Sequence, residues 1–306
     1  MRVEWTGRIV EDFYVLGIPG IPVYLLDGPI PVLFDAGVTV LSRIYERDIK
    51  RFLGDRSPAF LFLTHSHFDH VGSAAYLKSV WPEMRIGGSA RVGEILTRPK
   101  AVELIRTLNQ EAAKLIKSYG VAPLHETSFE PIDLDVIIEP GQTLDLSPDC
   151  RVNAISTPGH TWDFMSYWLP EKKILIASEA VGCDDGSGYI YTEFLVDYDA
   201  YRMSLERLSK LDPQVLCPGH KLVLTGPDAG QHMGRSLAQA AKYLDMVEGF
   251  LSEEKGSIDR AVARVKVAEW DAKPWPKQAE SAYLLNTQAR VRCVWKRMSA
   301  NGREPK

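Results

Sequence analysis

The chain has no Cys-x-x-Cys pair. Its four cysteines, Cys150, Cys183, Cys217 and Cys293, stand far apart, which suggests neither a thiolate zinc site nor a redox motif and describes scattered buried thiols in a reducing compartment. No apolar run approaches the roughly 18 to 20 residues of a membrane span, and the opening stretch MRVEWTGRIVEDFYVLG lacks a basic region followed by an apolar one. The expectation is a cytoplasmic protein with no membrane partner. A dominant charge is also missing: 36 Lys and Arg against 40 Asp and Glu give a formal net charge of −4, so no nucleic-acid partner is expected. Internal repeats and low-complexity segments are absent. With 306 residues, 45% hydrophobic and 25% charged, disorder, collagen and disulfide scaffolds are excluded, and one large domain or a core with an accessory segment is left.

The charge is unevenly spread. From Lys255 to Lys306 there are 12 Lys and Arg against 5 Asp and Glu, a net +7, which leaves −11 on the preceding part. The simplest consequence is a basic tail packed on an acidic body, its own or a partner's; the alternative is an anionic ligand. In the N-terminal third, DFYVLG, PVYLLDG and PVLFDAG read as a meander of antiparallel strands punctuated by Gly and Pro. A helix is expected over Leu41 to Leu53, followed by AFLFLT, a strand apolar enough to be buried on both faces. Between Pro99 and Gly120 apolar residues recur in steps of three and four and predict a helix. Strands return at DVIIEPG, RVNAIST, FMSYWL and KKILIAS, the last two forming a hairpin. A helix after Asp197 leads into the strand QVLCPGH. From Gly226 onward the pattern is helical, with an apolar stripe from Met233 to Leu251 and two further segments divided by KPWPK. That stripe is expected to pack within the chain, with a homodimer through the C-terminal helices as the alternative.

The strand AFLFLT runs into THSHFDH. The chain has only seven histidines, and three of them, His65, His67 and His70, lie within six residues, with Asp69 between the last two. Alternate residues leaving a strand point the same way, so His65 and His67 can reach one ion while Asp69 and His70, at a helix start, reach a second. His160 and His220 each end a strand in a Pro-Gly-His turn, and Glu179 stands at the end of KKILIAS. Strand exits are where α/β sheets build ligand sites, and imidazoles with carboxylates converging from several elements are the donor set of a catalytic metal site without cysteine. His125 and His232 have no such company and are expected to be surface or helix-end residues.

The ordered series T-H-x-H-x-D-H, P-G-H, an acid after a later strand and a final G-H resembles the metallo-β-lactamase superfamily over roughly residues 10 to 225. The resemblance implies an α/β fold, an αββα sandwich with a two-metal site along one edge. It assigns residues 1–226 to the catalytic domain, with a helical insert at about 88–120, and 227–306 to a helical C-terminal extension. It implies that His65, His67 and His160 hold one divalent ion, that Asp69, His70 and His220 hold the other, and that Glu179 bridges. Zinc, iron and manganese all suit these donors. One departure stands out: the bridging acid of the family is usually Asp after Gly, whereas here it is Ser178-Glu179, with Asp184 and Asp185 as nearby substitutes.

The activity implied is hydrolysis by a metal-bound hydroxide oriented by Asp69, with Tyr189 or Tyr191 helping to hold the oxyanion. Within the family, SEAVG and FLVDYDAYRMSLERL, together with the helical extension, are similar to thioesterase-type members related to quinolone-signal biosynthesis. That similarity implies a small ester or thioester substrate, anionic if it is an acyl-CoA. The competing readings are a binding or regulatory module that has kept the site, and an iron-dependent sulfur dioxygenase.

Overall fold

The computed structural model describes residues 1–118, 128–273 and 280–302. After the short β1 (Arg2–Val3), the chain builds β2 (Gly7–Val10), β3 (Phe13–Ile18), β4 (Ile21–Leu26) and β5 (Val32–Phe34) as the antiparallel meander the turn residues predict. The helix α1 (Ser42–Leu53) then carries the chain to β6 (Phe60–Phe62), which lies parallel to β5. The helices α2 (Phe68–Val71) and α3 (Ala74–Val80) lead to β7 (Arg85–Gly88), again parallel, and α4 (Ala90–Leu96) and α5 (Pro99–Ser118) precede β8 (Val136–Ile137). Parallel neighbours need such crossovers because a tight turn cannot return the chain in the same direction.

The second sheet is formed by β9 (Thr143–Ser147), β10 (Cys150–Ser156), the hairpin of β11 (Met165–Leu169) and β12 (Ile174–Ser178), and later strands. A small pair, β13 (Cys183–Asp184) and β14 (Ile190–Tyr191), interrupts it. The helix α6 (Tyr198–Leu208) then crosses over to β15 (Val215–Pro218), parallel to β12, and β16 (Val223–Thr225) pairs with both β15 and β1. Three helices follow: α7 (Pro227–Glu253), α8 (Ile258–Val265), which runs into a π-helical turn at Lys266–Asp271, and α9 (Glu280–Ala300).

Strand alternation makes this a four-layer sandwich. Phe13, Val15, Tyr24, Phe34 and Phe62 face Tyr167, Leu169, Ile174 and Ile176 between the sheets. The intervening residues Tyr14, Leu16, Leu25 and Leu33 turn outward onto α1, α3 and α5. Leu175, Ala177, Leu216 and Leu224 do the same for α6, α7 and α9. The stripe of Met233, Ala240, Leu244, Val247 and Leu251 is buried in this last layer, so it packs within the chain. Part of the basic tail likewise meets acids of its own body, Lys273 at 2.8 Å from Asp185 and Arg297 at 3.1 Å from Asp199. His125, Tyr119, Gly120 and most of KPWPK lie outside the described residues.

The two sheets are tied together where the loaded loop begins. Tyr167 of β11, fully buried, donates its hydroxyl to the carbonyl of Leu63 at 2.7 Å, and the amide of Met165 donates to the carbonyl of Thr64 at 2.8 Å. Both bonds fix the backbone immediately before His65. Replacing Tyr167 by Phe leaves the Leu63 carbonyl buried and unpaired, which is expected to lower the unfolding free energy by about 1 to 3 kcal/mol. Denaturant titration checks this; an unchanged midpoint would remove the bond from the account.

Candidate metal centre

His65, His67, Asp69 and His70 from one segment, with His160, Glu179 and His220 from three others, meet at one edge of the sandwich. The donor atoms of His65, His67 and His160 lie within 4.8 Å of one another, as do those of Asp69, His70 and His220, and those of His65, His70 and Glu179. The His160 turn depends on Gly159, whose φ is +131° and where a Cβ would stand 2.3 Å from the backbone of Tyr201 in α6. Only glycine lets that helix come so close.

Each imidazole but His67 has its outer nitrogen occupied. Thr64 donates its hydroxyl to Asp35 and so accepts from His65 Nδ1 at 3.0 Å. His70 Nδ1 donates to Asp35 at 2.8 Å, His160 Nδ1 to the carbonyl of Glu193 at 2.5 Å, and His220 Nδ1 to the carbonyl of Gly20 at 2.9 Å. These bonds place a proton on each Nδ1 and turn the Nε2 atoms inward, as metal-binding histidines require. His65 Nε2 is buried without a hydrogen-bond partner, and such a group is costly unless something else satisfies it. The donor set, the fixed tautomers and this orphaned nitrogen together fit a divalent cation.

Glu179 lies between the two groups. Its Oε1 is 3.0 Å from both His70 Nε2 and His220 Nε2, its Oε2 accepts from Ser178 Oγ at 2.7 Å, and His65 Nε2 is 3.8 Å away. The carboxylate has room because the residue opposite is glycine: a Cβ on Gly219 would fall 2.2 Å from Glu179 Oε1. Asp184 and Asp185 are not recruited. Asp184 pairs with Arg2 and Arg235, and Asp185 with Lys273.

Charge is divided across the cluster. Burial holds His65 and His67 below the usual imidazole range and brings His160 down to about 3, so these three are neutral. For His70 and His220 burial works the same way but is outweighed. Glu179, Asp35 and Asp69 hold His70 well above its ordinary value, while the hydrogen bond and charge of Glu179 raise His220 to about 9. Glu179 itself, against its burial, is kept well below the usual carboxylate range by His70 and His220.

Other residues were not anticipated. Asp35, at the exit of β5, is buried and braces two of the imidazoles, His70 directly and His65 through Thr64. Asp163 accepts from the amide of Ser66 at 2.8 Å. Cys183 brings its sulfur within reach of Glu179 and His220, with burial pushing its thiol up. His232 is neither at the surface nor at a helix end. It is fully buried within α7 and bonds the carbonyl of Val181, two residues after Glu179, at 2.9 Å. The one sequence signal for Asp35 is an acid at a strand exit, the position that marked Glu179; His232 carries none, because its partner is a backbone carbonyl. Tyr189 and Tyr191 do not join the cluster by hydrogen bonds among the described residues. Tyr189 donates to Glu269 at 2.9 Å and Tyr191 stacks edge-on against Tyr189, so this geometry gives no support to the oxyanion role expected of them.

The model of the metallo-beta-lactamase superfamily matches residues 20–220. The chain is 29% identical over 167 residues to a hydroxyacylglutathione hydrolase of Bartonella tribocorum, covering 53% of this chain and 48% of the relative. It is 26% identical over 164 residues to an atrochrysone carboxyl ACP thioesterase of Aspergillus fumigatus, covering 54% and 38%. The chain thus spans half the length of these curated relatives or less. In fold it is similar to a metallo-beta-lactamase family protein from Thermus thermophilus, with a TM-score of 0.64, 18% identity, and 95% of this chain and 94% of that one covered.

Two outcomes test the site. Gly219→Ala, at a backbone conformation open to any residue, is expected to displace the Glu179 carboxylate and weaken zinc binding about tenfold or more while the far-ultraviolet spectrum stays unchanged; unaltered affinity would mean the close contact is not felt. Because Glu179 raises His220 to about 9 and, with Asp35 and Asp69, holds His70 above its ordinary value, and because ligands must be deprotonated, zinc uptake at pH 7 is expected to release at least about one proton. Affinity should therefore rise as pH approaches about 9, where His220 gives up its proton unaided. Calorimetry in buffers of different ionisation enthalpy counts the protons, and a count of zero contradicts the charge assignment.

Proposed function

The chain belongs to the metallo-beta-lactamase superfamily, and on that premise we propose that it is a metal-dependent hydrolase of small acyl esters or thioesters. The observation that carries this reading is the place of Glu179, a buried carboxylate shared between two sets of inward-facing imidazoles. His65, His67 and His160 would hold one divalent ion and Asp69, His70 and His220 a second, with Glu179 reaching both. Zinc and iron are the candidates, manganese being compatible. Cations bound there supply two things: a lower pKa for a water molecule and polarisation of a carbonyl oxygen.

The residues of the chain do the rest. Asp69 lies in the first turn of the short α2, and its side chain is only partly buried. Its Oδ2 lies 3.5 Å from His220 Nε2, within reach of a water at the cluster. It is the group placed to orient that water and to take its proton. Asp35, the Glu193 carbonyl and the Gly20 carbonyl keep the imidazoles from rotating, so no reorganisation is needed at the moment of reaction. No serine or cysteine nucleophile is required. The preference for an acyl substrate over a phosphoester rests on the relatives, one named a hydroxyacylglutathione hydrolase and another a thioesterase, and on the −11 charge of the body, which offers little to a polyanion.

The experiment is a panel of acyl esters and thioesters assayed with metal content measured on the same samples. Wild type is expected to turn over at least one thioester, and His67→Ala and Glu179→Ala to lose about a hundredfold or more of that activity, with fewer ions per chain. Turnover that survives both substitutions, or none in fully loaded wild type, would overturn the hydrolase reading in favour of a binding module.

A further inference from the structure

The C-terminal helices bury an ion pair that does nothing for the metal-ligand cluster by direct contact. Glu269, in the π-helical turn, and Arg290, in α9, are 2% and 1% exposed. They form a two-pronged pair, Arg290 Nη1 to Oε1 at 3.1 Å and Nη2 to Oε2 at 2.7 Å. Tyr189 and Tyr283 both donate to the same carboxylate at 2.9 Å, and the guanidinium lies over the ring of Tyr243. A buried pair of this kind recovers its desolvation cost only with good geometry, and an apolar pair of the same size would serve stability as well. The π-turn, a rare conformation common at functional sites, is what places Glu269 here.

The pair also reaches the segment that braces the cluster, which follows β14. Arg290 Nη1 donates to the carbonyl of Thr192 at 3.2 Å, Cys293 Sγ to the carbonyl of Leu195 at 3.2 Å, and Asn286 Nδ2 to the Glu193 side chain at 3.5 Å. Residues 286, 290 and 293 share one face of α9, so the helix grips 192–195 along its length. The carbonyl in the middle of that stretch, that of Glu193, takes the Nδ1 proton of His160. The amides of Val196 and Asp197 close the circuit by donating to the carbonyl of Gly159 at 3.1 and 3.3 Å.

We infer that Glu269 and Arg290 are positioning residues for His160: by holding Thr192, the residue before Glu193, they set the tautomer and aim of its ring, and so the cation affinity of the His65, His67, His160 group. The inference rests on the reading of that group as a metal site, but its test does not depend on metal alone. The double variant Glu269→Gln, Arg290→Met removes both charges and the donor to Thr192 at nearly constant volume, and it is expected to lose some stability because the buried Thr192 carbonyl is left without that donor. Nitrogen-edited NMR of the histidine rings reads His160 directly in metal-free protein. The expected result is a slowly exchanging, downfield Nδ1 proton in wild type that exchanges at least tenfold faster or disappears in the double variant. Zinc affinity, by competition with a chromophoric chelator, should fall about ten- to a hundredfold. Val247→Ala, in the same helical layer but outside the hydrogen-bonded network that reaches 192–195, controls for loosening of the fold and should leave the ring signal in place. Tyr189→Phe, a milder change to the same network, gives the readout if the double variant fails to fold, and a smaller shift of the same sign is expected. A His160 signal unchanged in the variants overturns the inference. Wild type that takes up no zinc would instead sink the metal-site reading, while the ring signal still decides whether the pair positions His160.

Discussion

The arrangement turns on one shared carboxylate. Five histidines and two acids are brought to one sheet edge, and most of them are buried. Burial alone would make the imidazoles neutral and drive the carboxylates toward protonation. Glu179 prevents that outcome by pairing with His70 and His220 through one oxygen. Around it the fold places what the carboxylate needs: a glycine opposite, a serine hydroxyl on the other oxygen, and a backbone turn fixed from below by His232. Ser178 adopts φ +46°, a strained value for a residue with a side chain. That strain sits at the junction where β12 must stop and present Glu179, so the sheet and the site constrain each other at this residue.

Much of this could be read from sequence because the signals are local. THSHFDH after AFLFLT, the two Pro-Gly-His turns and the acid after KKILIAS each combine a strand pattern with a side chain at its end, and strand exits on one edge converge. The meander, the β11–β12 hairpin and the helices at α1, α5, α6 and α7 followed from periodicity and turn residues for the same reason. What sequence could not supply were partners remote along the chain. Asp35 serves His70 across 35 residues, Glu193 serves His160 across 33, and His232 supports the Glu179 turn across 51. None of these has a motif: two are bonds to a backbone carbonyl, which many residue types can make, and Asp35 is a lone acid remote in sequence from the ring it braces. Tyr189 lies close in sequence to Glu179, and beyond the pairing of β13 with β14 its hydroxyl donates to Glu269, a partner 80 residues away.

Substituting glutamate for the aspartate usual in the family looks at first like a weakened site. The surroundings argue otherwise. A longer acid in an unchanged pocket would collide with its neighbour, yet Gly219 leaves room for the carboxylate where any side chain would intrude. Ser178, occupying the position of the usual glycine, returns a hydrogen bond to the same group. Gly219 belongs to the G-H pair of the family pattern, so the feature particular to this chain is the Ser178–Glu179 bond, and the two aspartates that could have taken over are committed to arginine and lysine elsewhere.

The same logic extends to the C-terminal helices. Their apolar stripe is used up against the second sheet, so burial explains why they are attached but not why α9 carries a buried arginine. Apolar packing is tolerant of small shifts, because contacts of similar energy remain available when a helix slides. A two-pronged ion pair is not tolerant, since both oxygens and both nitrogens must meet. Placing that pair against Thr192 converts a loosely specified layer into one with a single register. The residue that gains from a fixed register is the next in line, whose carbonyl holds His160.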